Sequence, residues 1–126
     1  MPFDKDKFAT YLSTHAGKHP QSNCAKFVRL ALEAGGADTT GHPIRAKEYG
    51  PTLTRNGFRA IDVADPGKFL FTKGDVVVIE PTKKGNPAGH IAGFDGKNWV
   101  SDFVQTDFWP GPVYRKEKPS YVVYRR

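Results

Sequence analysis

The apolar residues of this chain follow a helical spacing in its first part and a β-strand pattern in its second. A first helix is predicted over residues 4–15, with Asp4 as its N-cap and with Phe8, Leu12 and His15 on its buried face. Helices followed by strands in this order are typical of an α+β fold. We therefore predict N-terminal helices packed on an antiparallel β-sheet.

A second helix is predicted to begin at Cys24, where apolar residues again recur at helical spacing. Ser22 or Asn23 precedes it as a suitable N-cap, because a short polar side chain can accept an unpaired N–H group of the first turn. Gly35 and Gly36 follow it, and glycine readily adopts the left-handed backbone that ends a helix. This placement makes Cys24 the first residue of its helix.

The second half of the chain is rich in β-branched and aromatic residues, and Asp95-Gly96 is a tight-hairpin signal. We predict a weaker helix over residues 45–56, strands over 75–80, 90–95, 98–103 and 121–125, and a surface loop over 105–119 that walls a cleft. The length of 126 residues corresponds to a single domain, residues 1–126.

The N-terminal segment lacks the basic-then-apolar layout of a signal peptide, and no apolar run approaches the roughly 18 residues of a membrane helix. We therefore expect synthesis in the cytoplasm, export by a route that reads no cleavable signal if the protein is exported, and no membrane insertion. The net charge of +6 favours anionic partners, but the charges are scattered, as on an ordinary solvated surface.

The single cysteine, Cys24, has two possible roles. Unpaired N–H groups and the positive end of the helix dipole favour its thiolate, and its own N–H is free to bind an oxyanion beside the sulfur. These features suit a nucleophile. The alternative is a small buried hydrophobe, since free cysteine is among the most buried residue types.

A base and an orienting group for such a nucleophile are available in the strand region. His90 begins a predicted strand, and imidazole titrates in the range that proton transfer needs. Asp102 is predicted on the next strand, where hairpin pairing would bring its carboxylate beside His90 to hold the imidazole tautomer. His90 could instead be a hydrogen-bonded strand residue, and Asp102 could cap a turn.

No metal or cofactor is expected. His15, His19 and His42 have no spacing that suits metal ligands, and a lone cysteine cannot supply a thiolate cluster. The glycines are dispersed and form no phosphate-binding loop.

Three short blocks, Ser-Asn-Cys-Ala-Lys-Phe-Val-Arg, Gly-Asp-Val-Val-Val and Gly-His-Ile-Ala, resemble the NlpC/P60 and CHAP superfamily of peptidoglycan amidases. With the tail around Trp-Val-Ser-Asp-Phe and Trp-Pro-Gly-Pro-Val-Tyr-Arg, the chain is most similar to type VI secretion amidase effectors. The resemblance implies a papain-like fold. The site residues that it implies are Cys24 as nucleophile, His90 as base and Asp102 as orienting residue. The sequence has no obvious match for the family's second oxyanion donor, for which Gln21 and Ser22 are candidates, and Trp109 is a candidate substrate-binding residue.

The same resemblance implies a biological role. It points to an antibacterial toxin that is delivered to the periplasm of a target cell, with peptidoglycan as substrate and a cognate immunity protein that plugs the cleft. Two amide bonds are implied as targets, the D-alanyl–diaminopimelate crosslink and the γ-D-glutamyl–diaminopimelate bond within a stem, with the crosslink favoured.

Other functions remain open on the sequence alone. A phage-type lysis amidase would have the same residues, and a cysteine amidase or acyltransferase acting on proteins or lipids would differ in its cleft. A non-catalytic basic module that binds wall polymer or nucleic acid would use aromatics such as Phe94, Trp99 and Phe103. We expect no nucleic-acid partner, because aromatics at strand spacing are more often core residues.

Overall fold

A computed structural model describes residues 3–18 and 23–126 of the chain. The helices are α1 (Lys5–His15), α2 (Cys24–Ala34), α3 (Gly50–Arg55) and α4 (Pro112–Glu117), with a 3₁₀ turn at Ala46–Glu48. The strands are β1 (Arg59–Ile61), β2 (Val76–Ile79), β3 (His90–Phe94), β4 (Trp99–Val100) and β5 (Tyr121–Arg125). None of the helices in this described part has the length and apolar character that a bilayer-spanning helix needs.

The strands form one five-stranded antiparallel sheet in the order β1-β5-β2-β3-β4. The predicted class, α+β with helices on an antiparallel sheet, is confirmed. Within strand β2, Val76 and Val78 pack into the core shared with the helices, whereas Val77 and Ile79 pack into a second, aromatic-rich core on the other face. Because both faces of this strand are buried, its sequence is an unbroken apolar run rather than an alternating one.

Helices α1 and α2 form the layer that carries the first residue of the candidate site. Asp4 caps α1 as predicted, accepting the Lys7 N–H at 3.0 Å. The helices approach the sheet closely at Gly93, where a Cβ would lie 2.5 Å from the Phe8 ring. A side chain at this position would force the layers apart, which explains a glycine in the middle of β3.

Several sequence predictions about local structure are wrong. His15 is exposed rather than buried, and its ring stacks on Tyr11 at 3.9 Å. The weaker helix over 45–56 is divided into the 3₁₀ turn and α3, with Gly50-Pro51 at the junction. The predicted side-chain cap of α2 is not made by Asn23, and Ser22 lies outside the described residues.

The C-terminal half also differs from the prediction. The strand predicted over 98–103 is only Trp99–Val100, the short edge strand β1 was not predicted, and the loop over 105–119 contains helix α4. Pro112 lies in the first turn of α4, where proline is well accommodated because the N–H it lacks has no partner there. A strand of two or three residues, or a helix of less than two turns, has too little periodicity to be recognised in a sequence.

Candidate active site

Helix α2 and strand β3 bring Cys24 and His90 to one cleft with a volume of about 640 Å³. Cys24 is the first residue of α2, as predicted, and His90 is the first residue of β3. The backbone N–H of Ile91, the residue after His90, lies close enough to the Cys24 sulfur to lower the pKa of the thiol. The start of the helix and the start of the strand therefore lie close together at the thiol.

The backbone before His90 explains the Gly-His pair in the sequence. Gly89 has a φ of 74°, in the left-handed region, and a Cβ there would lie 2.5 Å from the Ile79 carbonyl oxygen. Only glycine fits such a turn without strain, so Gly89 directs the chain into the cleft just before the strand begins.

The Cys24 thiol has a raised pKa. Burial is the largest cause, and the negative charge of Asp102 adds to it, while hydrogen bonds from the backbone N–H groups of Ile91, Ala25 and Cys24 itself act in the opposite direction. The sequence-based expectation of a lowered pKa is therefore wrong, because the helix start does stabilise the thiolate but burial outweighs it.

His90 has a lowered pKa, mainly because it is 8% exposed and burial disfavours the imidazolium ion. A hydrogen bond to Gln105 and the charge of Asp102 raise the pKa, but less than burial lowers it. The raised pKa of Cys24 and the lowered pKa of His90 both favour the uncharged form of the group. A neutral thiol beside a neutral imidazole is therefore the favoured resting state of the cleft.

The side chain that holds His90 was missed by the sequence analysis. The Nε2 atom of His90 lies 2.8 Å from the Gln105 Oε1 atom. The Gln105 amide nitrogen donates to the carbonyl oxygens of Asp107 and Phe108 at 3.1 and 3.2 Å. Since the amide nitrogen is already engaged, its oxygen must face the imidazole, and Nε2 of His90 must carry the proton.

Asp102 lies in a bend after β4 rather than on a paired strand. Its carboxylate accepts the Asn23 N–H at 2.7 Å, and its carbonyl oxygen accepts the Gly17 N–H at 2.9 Å. The strand placement predicted for Asp102 is wrong, because β4 ends at Val100. Asp102 instead stabilises the entry of α2 from outside the helix, close enough to act electrostatically on both Cys24 and His90.

Three further site residues were predicted, and the structure describes one of them, Trp109. Gln21 and Ser22 lie outside the described residues. Trp109 is 8% exposed and packs edge-to-face on Phe108 and Tyr121 in the aromatic core, so it does not line the cleft in the described part of the chain.

The remaining walls come from three segments. The loop over 105–119 does wall the cleft, as predicted, through its residues 110–114. The 82–89 segment and Ile44 face it. The described residues that line the cleft include six with titratable side chains: Cys24, Lys26, Lys84, His90, Asp102 and Tyr114. Within the described ranges, no three histidine, cysteine, aspartate or glutamate residues are grouped as metal ligands.

No protein-family model matches the sequence, and no curated protein matches it significantly. Among solved structures, the chain is similar to one in the native type VI effector–immunity complex Tae3–Tai3 from Ralstonia pickettii, with 38% identity, 98% of both chains covered and a TM-score of 0.85. It is also similar to one in the selenomethionine form of that complex, with 39% identity, 94% of this chain and 98% of that chain covered, and a TM-score of 0.81.

At this identity over nearly the whole length, the chain belongs to the type VI secretion effectors, and among them to the Tae3 family. The predicted resemblance to type VI effectors is thereby confirmed. Membership of the NlpC/P60 superfamily and the papain-like description of the fold stay predictions.

Proposed function

We propose that this protein is an antibacterial cysteine amidase that hydrolyses an amide bond in the peptide stems of bacterial peptidoglycan. The observation that carries the proposal is the meeting of Cys24, at the start of a helix, with His90, at the start of a strand, in one open cleft. A cysteine with only a packing role would not need a neighbouring base or an opening to substrate. Membership of the Tae3 effector family supports a toxin.

In the proposed acylation step, the Cys24 sulfur attacks the amide carbonyl while His90 takes the thiol proton. The neutral resting pair suits this route, because the base is unprotonated and becomes charged only as the sulfur attacks. Nε2 of His90 is occupied by Gln105, so Nδ1 is the atom that accepts the proton. The Cys24 N–H, which has no partner within the helix, donates to the oxyanion.

Collapse of the tetrahedral intermediate breaks the C–N bond, and the imidazolium of His90 gives its proton to the leaving amine. The acyl group then remains on the Cys24 sulfur as a thioester. Water attacks it with His90 as base, which releases the acid and restores the thiol. Gln21 and Ser22 stay candidates for the second oxyanion donor, and Asp102 supports the imidazolium by its charge.

The charges of the cleft support a substrate that carries carboxylates. Lys26 and Lys84 place two ammonium groups on its wall, while the carboxylate of Asp102 is engaged with the Asn23 N–H. Peptide stems carry several carboxylates. Of the two bonds considered, we propose the D-alanyl–diaminopimelate crosslink, in which the carbon attached to the scissile nitrogen bears a free carboxylate.

We also propose delivery to the periplasm of a rival cell and a cognate immunity protein that covers the cleft. The two related structures are effector–immunity complexes. In this protein Ile44 is 90% exposed and Val113 is 52% exposed, and they stand on segments from different parts of the chain at the same cleft. Two exposed apolar side chains at the rim of one cleft are more typical of a surface that binds a protein than of one that stays in contact with water.

The bond is identified by mass spectrometry of a purified crosslinked dimer muropeptide after digestion. Cleavage of the crosslink yields monomers with intact tetrapeptide stems, whereas cleavage within the stem shortens them. For the partner, replacing Ile44 and Val113 by aspartate should relieve inhibition by the immunity protein while wall hydrolysis continues. Unchanged inhibition would place the partner elsewhere.

A further inference from the structure

Tyr114, the third residue of α4, is a half-buried phenol in the wall of the cleft beside both proposed reacting groups. Its ring centroid lies 6.0 Å from that of His90, with an angle of 55° between the ring planes. The position of α4 is held by the Arg115 guanidinium, which donates to the Asp107 carboxylate at 3.0 and 3.2 Å. Because Arg115 follows Tyr114 in α4, this ion pair also holds the Tyr114 backbone in place opposite His90.

The hydroxyl of Tyr114 has no hydrogen-bond partner among the described residues, and it stands in a cleft that is open to substrate. Burial raises the pKa of the Tyr114 phenol, and the charge of the Cys24 thiolate raises it further. The phenol is therefore a neutral donor throughout the working pH range. A hydroxyl donor in a partly dry cleft is worth more to a charged acceptor than the same donor in water.

The chemistry of the proposed reaction decides which half of the substrate Tyr114 meets. His90 must protonate the leaving amine, so the amine half of the substrate lies on the imidazole side of the Cys24 sulfur. Since Tyr114 packs beside the imidazole, it borders the amine half rather than the acyl half. The best acceptor for a phenol in a cleft whose wall also carries Lys84 is a carboxylate.

We propose that the Tyr114 hydroxyl donates a hydrogen bond to the carboxylate of the amine half of the substrate and so selects a carboxylate-bearing leaving group. The inference rests on the proposed function of the cleft and adds a specificity-determining residue to it. It makes a kinetic distinction. Tyr114 acts while the amine half is bound, which is during acylation, and has no role in hydrolysis of the thioester, from which the amine has already left.

The test compares two substrates with the same acyl half. One is the natural crosslinked amide, and the other is the tetrapeptide stem as a methyl ester, whose leaving group has no carboxylate. For wild type and Tyr114→Phe, kcat/KM is measured on each. Tyr11→Phe, on α1 and outside this cleft, is the matched control. We expect Tyr114→Phe to lower the ratio of amide to ester hydrolysis about 10- to 100-fold, the effect of one hydrogen bond to a charged group, and Tyr11→Phe to leave the ratio unchanged.

An unchanged ratio for Tyr114→Phe would overturn the inference, whether both rates fell together or neither fell. An equal fall of kcat/KM on both substrates would indicate that the hydroxyl binds the oxyanion. No fall on either substrate would indicate that Tyr114 only lines the cleft. Failure of the proposed function would look different, because wild type and Tyr11→Phe would then hydrolyse neither substrate.

Discussion

The imidazole of His90 donates from Nε2 to the side-chain oxygen of Gln105 across 2.8 Å. The Gln105 amide cannot turn over, because its nitrogen is bound to the carbonyl oxygens of Asp107 and Phe108. This arrangement fixes one tautomer of His90 and leaves Nδ1 as its basic atom. A neutral amide does so without the charge stabilisation that a carboxylate would give, and burial is then free to lower the pKa of His90.

Replacing Gln105 by glutamate should move the acid limb of the pH profile. A carboxylate beside the imidazole stabilises its charged form, raises the pKa of His90, and so protonates the base at a higher pH than in wild type. The acid limb of kcat/KM should therefore shift upward. Gln105→Ala should lower kcat by about 10- to 100-fold, because the His90 proton is no longer held on Nε2. It should not move the acid limb upward, because it adds no negative charge. Equal acid limbs for wild type and Gln105→Glu would contradict the assigned contact.

The ionisation of Cys24 should occur at a higher pH than that of a free cysteine, because burial raises its pKa. The rate of alkylation by iodoacetamide, measured against pH, should rise with an inflection above that of a model thiol, and little thiolate absorbance at 240 nm should be present at neutral pH. His90→Ala provides a comparison without the base. Rapid alkylation of wild type under mildly acidic conditions would instead indicate a preformed thiolate–imidazolium pair.

Asp102→Asn should lower both pKa values in the cleft. The carboxylate raises the pKa of Cys24 and that of His90, and asparagine removes the charge while its amide oxygen can still accept the Asn23 N–H. The thiol inflection and the acid limb of activity should both move to lower pH, as measured by alkylation and by hydrolysis of stem peptides. Movement of the two in opposite directions would mean that Asp102 acts by geometry instead.

Asp75 should matter for stability rather than for catalysis. It is fully buried, accepts two hydrogen bonds from Arg125 at 2.9 Å, and accepts the Thr72 N–H. Asp75→Asn removes the negative charge that pairs with the guanidinium and one of its two acceptor oxygens, so the free energy of unfolding in urea should fall by about 3 kcal/mol. Asp6→Asn is the matched control, because the Asp6–Lys73 pair is exposed, and it should change stability little. Similar losses for both variants would contradict this assignment.

The parts of the structure that could be predicted from the sequence are those with a clear local pattern. Helix α1 with its Asp4 cap and helix α2 from Cys24 follow from helical spacing, and strands β2, β3 and β5 follow from runs of β-branched and aromatic residues; all five are confirmed. The convergence of Cys24 and His90 in one cleft was also predicted, from the combination of a cysteine at a helix start with a histidine at a strand start and from the family resemblance.

The parts that were missed depend on contacts between residues distant in the chain or on the balance of opposing effects. The hydrogen bond between His90 and Gln105 depends on the path of the loop after β4, which no local sequence pattern specifies. The pKa of Cys24 is decided by how deeply the thiol is buried, which the sequence of α2 alone does not indicate. Trp109 was predicted as a substrate-binding residue from the family resemblance of its segment, whereas packing on Tyr121 decides its place.

The central claim is that the Cys24 sulfur is the nucleophile of a wall-cleaving enzyme, and the most direct measurement is the release of new amino groups from purified sacculi. Wild type and Cys24→Ala are compared at equal concentration, with circular dichroism to confirm that both are folded. We predict that wild type releases stem-peptide amines and that Cys24→Ala releases none above background. Equal release by the two proteins, or no release by either, would contradict the account.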